Sequence, residues 1–275
     1  MRFHRRYFTA VVIIPLVLLA TLYLDTRGFT TFIAVVIALG AWEWATLCGY
    51  RGTGGKAGYT ALVVFLLWVG VALRETPFAG TVIALAVLWW LVAAAIVVTQ
   101  QRQGALSLGG RLLKTGLGVI ILVPAGLSLV VLHSYAPRGE VYAVYLFTLI
   151  GLADTAAFFA GRQWGKAKLA SVISPGKTWT GLWGALMIGA AAGVVFAWAT
   201  GMQVSDIIIF SLISCVTVAG SVVGDLVESL VKRLINVKNS GDLLPGHGGV
   251  LDRIDSLTAA APIFLSLFWL SREFA

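Results

Sequence analysis

Residues 221–256 read SVVGDLVESLVKRLINVKNSGDLLPGHGGVLDRIDS. The carboxylates Asp225, Glu228, Asp252 and Asp255 share this stretch with the cations Lys232, Arg233, Lys238 and Arg253 and with a His-Gly-Gly turn at 247–249. Apolar runs of membrane length flank it, over 207–223 and 256–271. Lipid offers no partner for backbone N–H and C=O groups, so such runs must be helices. A charge at a bilayer boundary is costly unless it is paired, coordinated or wet, so a cluster there marks a functional site.

The same pattern extends to the whole chain. Hydrophobic residues make up 59% and charged residues only 12%, with a mean hydropathy of +0.92. These values exclude a soluble domain built on one core and predict an all-α polytopic membrane protein. Nine spans are expected, at 7–24, 29–48, 59–73, 78–99, 112–132, 140–160, 178–199, 207–223 and 256–271. The first follows MRFHRR, as a signal peptide would, but is long for one and lacks a clear small-x-small cleavage site. The third is short for a bilayer, and loop charge supports it. With the N-terminus inside, the inner segments hold Arg2, Arg5 and Arg6; Arg51 and Lys56; Arg102, Arg111 and Lys114; Arg162, Lys166, Lys168 and Lys177; and Lys232, Arg233, Lys238 and Arg253. Only Arg27, Arg74, Arg138 and Arg272 fall outside, out of 20 cations. Without the third span the bias vanishes. The positive-inside rule therefore predicts a cytoplasmic N-terminus, an outer C-terminus and cytoplasmic loops at 161–177 and 224–255. The chain reads as a single membrane domain, with N-terminal helices over 1–135 and catalytic helices over 136–275. Cys48 and Cys215 lie in apolar runs and read as buried small hydrophobes.

Several constellations could carry chemistry. If the eighth helix continues past 223, Ser221, Asp225, Glu228, Ser229 and Lys232 share one face by three- and four-residue spacing. That face could hold a divalent cation and a phosphate; an i,i+4 ion pair between Glu228 and Lys232 is the plainer reading. In PGHGGVLDRIDS (245–256), Gly246, Gly248 and Gly249 free the backbone around His247. Asp252 and Asp255 then open the ninth helix, where one acid would serve as a cap and two exceed that need. Asp225 and Asp252 could converge on Mg²⁺, which takes one or two protein carboxylates and completes its shell with water and phosphate. SPGKTWTG (174–181) lacks the first glycine and the preceding strand of a P-loop. A Ser174-Pro-Gly turn opening a helix beside Lys177 and Thr178 still suits an anion. Asp154 lies near the inner end of the sixth span. Glu43, between Trp42 and Trp44, reads as part of an interfacial aromatic belt. Gly181, Ala185, Gly189, Gly193 and Ala197 form a small-residue stripe for close helix packing, with an internal partner favoured over a homodimer.

Together these motifs resemble the phosphatidate cytidylyltransferase (CDP-diacylglycerol synthase) family. The resemblance rests on Ser229, Lys232, Arg233, Lys238, Gly241, Pro245, His247, Gly248, Gly249, Asp252, Arg253 and Asp255, and on GLADTAAFFAGRQWGKAKLA and SPGKTWTG upstream. It is close over the second half of the chain. Asn239 stands where that family usually has Asp, and Asp242 lies three positions on. The resemblance implies Mg²⁺-dependent transfer of CMP from CTP to phosphatidate, with a second cation allowed. It implies CTP, phosphatidate and the bilayer as partners, no nucleic acid, and an inner-membrane enzyme whose site faces the cytoplasm. Asp225 and Asp252 would hold metal, with Asp154 completing the metal or cytidine site. Lys177, Lys232, Arg233 and Arg253 would bind phosphates, helped by Ser174, Thr178, Glu228, Ser229, Lys238, Gly248 and Gly249. Asp255 would orient Arg253 or a second cation, and His247 would hydrogen-bond phosphate. An ion-coupled transporter using Asp154, Asp225 and Glu43 is the rival reading, and chemistry on another lipid phosphate is a third.

Overall fold

The computed structural model describes residues 2–104, 109–244, 246 and 248–273, without the side chains of 2–10 and 272–273. Among the described residues there are nine helices: α1 (Arg2–Tyr23), α2 (Thr26–Leu47), α3 (Thr53–Ala72), α4 (Pro77–Gln103), α5 (Arg111–His133), α6 (Gly139–Trp164), α7 (Trp179–Ala199), α8 (Val204–Leu234) and α9 (Leu251–Glu273). Eight are long and apolar enough to cross a bilayer, and α1 adds a shorter apolar run, Val11–Tyr23. The protein is an all-α, multi-pass membrane protein. The doubtful third span is a 20-residue helix, longer than the 59–73 expected, because Gly54, Gly55 and Lys56 join its first turns.

Two loops differ from expectation. α6 runs on to Trp164, and the connection to α7 holds a two-stranded antiparallel hairpin, β1 (Lys168–Ala170) and β2 (Ser174–Thr178). Ser174, Lys177 and Thr178 thus lie on a strand, not in a turn opening the helix. Thr178 caps α7, its hydroxyl accepting from the Gly181 N–H at 3.1 Å. The turn lies at 171–173, where Gln101 of α4 donates to Ser171 Oγ and accepts from the Val172 N–H. α8 spans 31 residues, so the stretch from 224 to 234 is helix and not loop.

Small residues bring the C-terminal helices together. The stripe on α7 is buried and packs internally: a Cβ at Gly181 would strike the Ala157 carbonyl of α6, and one at Gly193 would strike α8 at Ser211 and Ser214. Gly224 does the same for α8 and α9, since a Cβ there would lie 2.6 Å from the Asp255 carbonyl. Helices can approach this closely only where side chains are absent. α9 packs against α8 on one side and against α2 and α5 on the other, so the N-terminal helices share its core.

Candidate active site

The charged face of α8 forms as the spacing predicted, and α9 and β2 complete it. Lys177 Nζ of β2 meets Asp225 Oδ2 at 2.6 Å, and the Ser229 hydroxyl donates to Asp225 Oδ1 at 3.2 Å. Asp154 of α6, Lys177 and Asp225 line one cleft of about 290 Å³, together with Ser221 and Thr178. About two helical turns beyond Asp225 on α8, Lys232 Nζ lies 2.6 Å from Asp252 Oδ1 and 3.0 Å from Glu228 Oε1. Glu228 is thus paired through Oε1, while among the described residues its buried Oε2 has no hydrogen-bond partner. Asp255 faces α8 and lies within electrostatic reach of Asp225, Lys177 and Lys232, and Arg253 acts on Asp154 in the same way. The cluster thus holds five carboxylates, Asp154, Asp225, Glu228, Asp252 and Asp255, against three cations, Lys177, Lys232 and Arg253.

Asp252 does more than cap a helix. Its Oδ2 accepts from the backbone N–H groups of Ser240 (3.0 Å) and Gly249 (2.9 Å), while its Oδ1 takes Lys232. One carboxylate thereby fixes both ends of the 240–249 loop. Gly248, at φ +86, brings the backbone so near that a Cβ would lie 2.6 Å from Asp252 Oδ2. Asp225 and Asp252 each carry their own lysine, Lys177 and Lys232.

Other expected residues are placed differently. Arg233 donates from Nε to the Ile173 carbonyl (3.3 Å) and from an η nitrogen to that of Val237 (3.2 Å). It ties the hairpin turn to the end of α8, which leaves fewer donors for a phosphate. Lys238, Asn239 and Asp242 are exposed. His247, expected to bind phosphate, lies outside the described residues.

Glu43 is the residue whose role the sequence concealed. It is 3% exposed, on the inner face of α2, and not in an interfacial belt. Its Oε1 accepts from the Val250 N–H (3.0 Å), and its Oε2 accepts from the Leu251 N–H (2.9 Å) and the Ser240 hydroxyl (2.8 Å). Leu251 opens α9, so Glu43 supplies from another helix the anion that a helix N-terminus favours. Gly241 and Gly249 wrap this carboxylate so closely that a Cβ at either would collide with it. The glycine spacing of the motif was the available signal, but nothing in sequence linked it to a glutamate some 200 residues away.

A family model described as the cytidylyltransferase family matches residues 4–271. The chain belongs to that family. It is 41% identical to the phosphatidate cytidylyltransferase of Pseudomonas aeruginosa, over 96% of each chain. It is also 35% identical to the enzyme of that name from Haemophilus influenzae, over 94% of this chain and 96% of that one. The one from Brucella suis is 36% identical, over 94% and 90%. The protein is therefore a nucleotidyltransferase, and the transporter reading falls away.

Proposed function

We propose that this membrane cytidylyltransferase transfers CMP from CTP to phosphatidate, releasing CDP-diacylglycerol and pyrophosphate on the cytoplasmic face of the inner membrane. The observation that carries this reading is the cluster of acids and cations at the ends of lipid-spanning helices. Such a site can meet a nucleotide from water and a phosphate carried by a lipid. An oxygen of the lipid phosphate attacks the α-phosphorus of CTP. The bond from that phosphorus to the bridging oxygen breaks, and pyrophosphate leaves with the electron pair. Charge builds on attacking oxygen, phosphorus and leaving group, so preorganised cations supply most of the assistance. Lys177 on β2 and Lys232 on α8 are held by carboxylates at fixed positions for this purpose, and Arg253 stands at the lipid side.

The residues fit Mg²⁺. The cluster carries two more acids than cations, and among the described residues buried Glu228 Oε2 has no hydrogen-bond partner. Mg²⁺ takes few protein ligands and fills its shell with phosphate and water. Asp225 and Asp252 would hold it, with Asp154 close by. When bound it supplies charge neutralisation and Lewis acidity at the phosphates. A homodimer would have to use a face other than the α7 stripe.

The test is incubation of purified protein with CTP labelled in cytidine, phosphatidate and Mg²⁺. Label should enter the organic phase with one pyrophosphate released per transfer. A preparation that is folded yet labels only a different lipid phosphate would move the substrate assignment. One that labels no lipid at all would overturn it.

A further inference from the structure

A second cavity lies beside the reactive cluster. It is a crevice of about 320 Å³ between α1, α2, α5, α6 and α9, and its walls are apolar except for Arg253 and Thr258. On α2 the wall runs from Phe32 to Leu39, which at 1.5 Å per residue is a depth of about 10 Å. On α9 it comprises Arg253, Ile254, Leu257 and Thr258, whereas Asp252 and Asp255 point to α8 from neighbouring positions. The first turn of α9 therefore separates two environments, with reactive carboxylates on one side and an apolar trench on the other.

We propose that this crevice takes one acyl chain of the lipid phosphate substrate, with Arg253 at its mouth meeting the phosphate. The inference rests on the lipid-phosphate reading above. Apolar walls alone would take any lipid tail. Arg253 makes the difference: it lines the crevice and directly follows Asp252, whose carboxylate pairs with Lys232 of the reactive cluster. A tail seated between α1, α2 and α9 thus carries its phosphate to the edge of the cation cluster. A guanidinium suits that place, because it pairs with phosphate through two parallel donors.

The test uses the full chain. Val36, half-buried in the crevice wall on α2, is replaced by Trp. The kcat/KM for dioleoyl phosphatidate should fall at least tenfold relative to that for dihexanoyl phosphatidate, whose short tails do not reach the obstruction. In parallel, phosphatidate with a diazirine along one acyl chain is photolysed with the unaltered protein, and the adducts are mapped by mass spectrometry. Adducts should fall on the α2 and α9 walls, and dioleoyl phosphatidate should suppress them where dioleoyl phosphatidylcholine does not. Equal loss on both chain lengths, no loss on either, or equal suppression by both lipids would mean that the crevice holds ordinary bilayer lipid, and the proposal would be wrong. If the unaltered protein uses neither phosphatidate, the substrate reading has failed instead. The photolabelling pattern reports on the crevice whether or not the Trp variant folds.

Discussion

Replacing Glu43 by Gln tests whether a helix in the first third of the chain sets the geometry of the site. The carboxylate accepts three hydrogen bonds, two from backbone N–H groups at the start of α9 and one from Ser240. An amide of the same size has one acceptor oxygen and one NH₂. Whichever way it is turned, the NH₂ faces a backbone donor, either that of Val250 or that of Leu251. One buried N–H is then left unpaired, at a cost of about 1–3 kcal/mol. Loss of the charge beside the α9 N-terminus adds about 0.3–1 kcal/mol. The sum, about 1.5–4 kcal/mol, falls on the loop whose other anchor is Asp252. If most of it appears as a loss of the productive loop arrangement, kcat drops by about tenfold to several hundredfold at 1.36 kcal/mol per decade. The assay is transfer of labelled CMP across a range of Mg²⁺ and CTP concentrations, with thermal unfolding in detergent alongside. A loosened Asp252 should also raise the Mg²⁺ needed for half-maximal rate, which a purely structural weakening would leave alone. Wild-type kcat together with wild-type Mg²⁺ dependence would refute the reasoning and return Glu43 to the aromatic belt.

Other substitutions read out the same network. Lys232→Met strands Glu228 and Asp252 as unpaired carboxylates, so a loss of about 3–5 kcal/mol is expected in unfolding measurements, the range for breaking one side of a buried ion pair. Asp252→Asn can still accept from Ser240 and Gly249, but its NH₂ faces Lys232. Activity should fall by orders of magnitude, and partial recovery at high Mg²⁺ in a titration would mark the metal role apart from the pairing role. Gly249→Ala should inactivate in the CMP-transfer assay, because the new methyl collides with Glu43 and Ser240.

The spans were legible because hydropathy acts through local sequence alone, and the α8 face was legible because helical spacing is fixed. The hairpin at 168–178 was not. Its strands are short, and its turn is held by Gln101 and Arg233, which are remote in sequence. Arg233 shows a related limit: a cation in a signature reads as a phosphate ligand, yet here two of its nitrogens are taken by carbonyls that only the fold brings near. Glu43 is the clearest case. Its flanking tryptophans are a local signal for an interface, and the contradicting signal is a tertiary one, three donors gathered from residues 240, 250 and 251.

That long-range clamp bears on whether residues 136–275, which hold every charged member of the cluster, could work alone. Removing 1–135 would take away the acceptor for Val250 N–H, Leu251 N–H and Ser240, together with the α2 and α5 surfaces that bury one side of α9. It would also open the crevice, whose outer walls are α1 and α2. Three donors would be left without their partner and a helix would be stripped on one face, more than the about 5–15 kcal/mol that usually separates folded from unfolded chains can readily absorb. Expressed alone, 136–275 should therefore give no CMP transfer and no stable membrane product. Co-expressed with 1–135 as two chains split in the α5–α6 connection, it should recover activity, because the clamp needs proximity and not covalent continuity. Recovery should vanish when the 1–135 fragment carries Glu43→Ala. Full activity of 136–275 alone would mean that the N-terminal helices are only an anchor, and that the hydrogen bonds of Glu43 contribute nothing to the site.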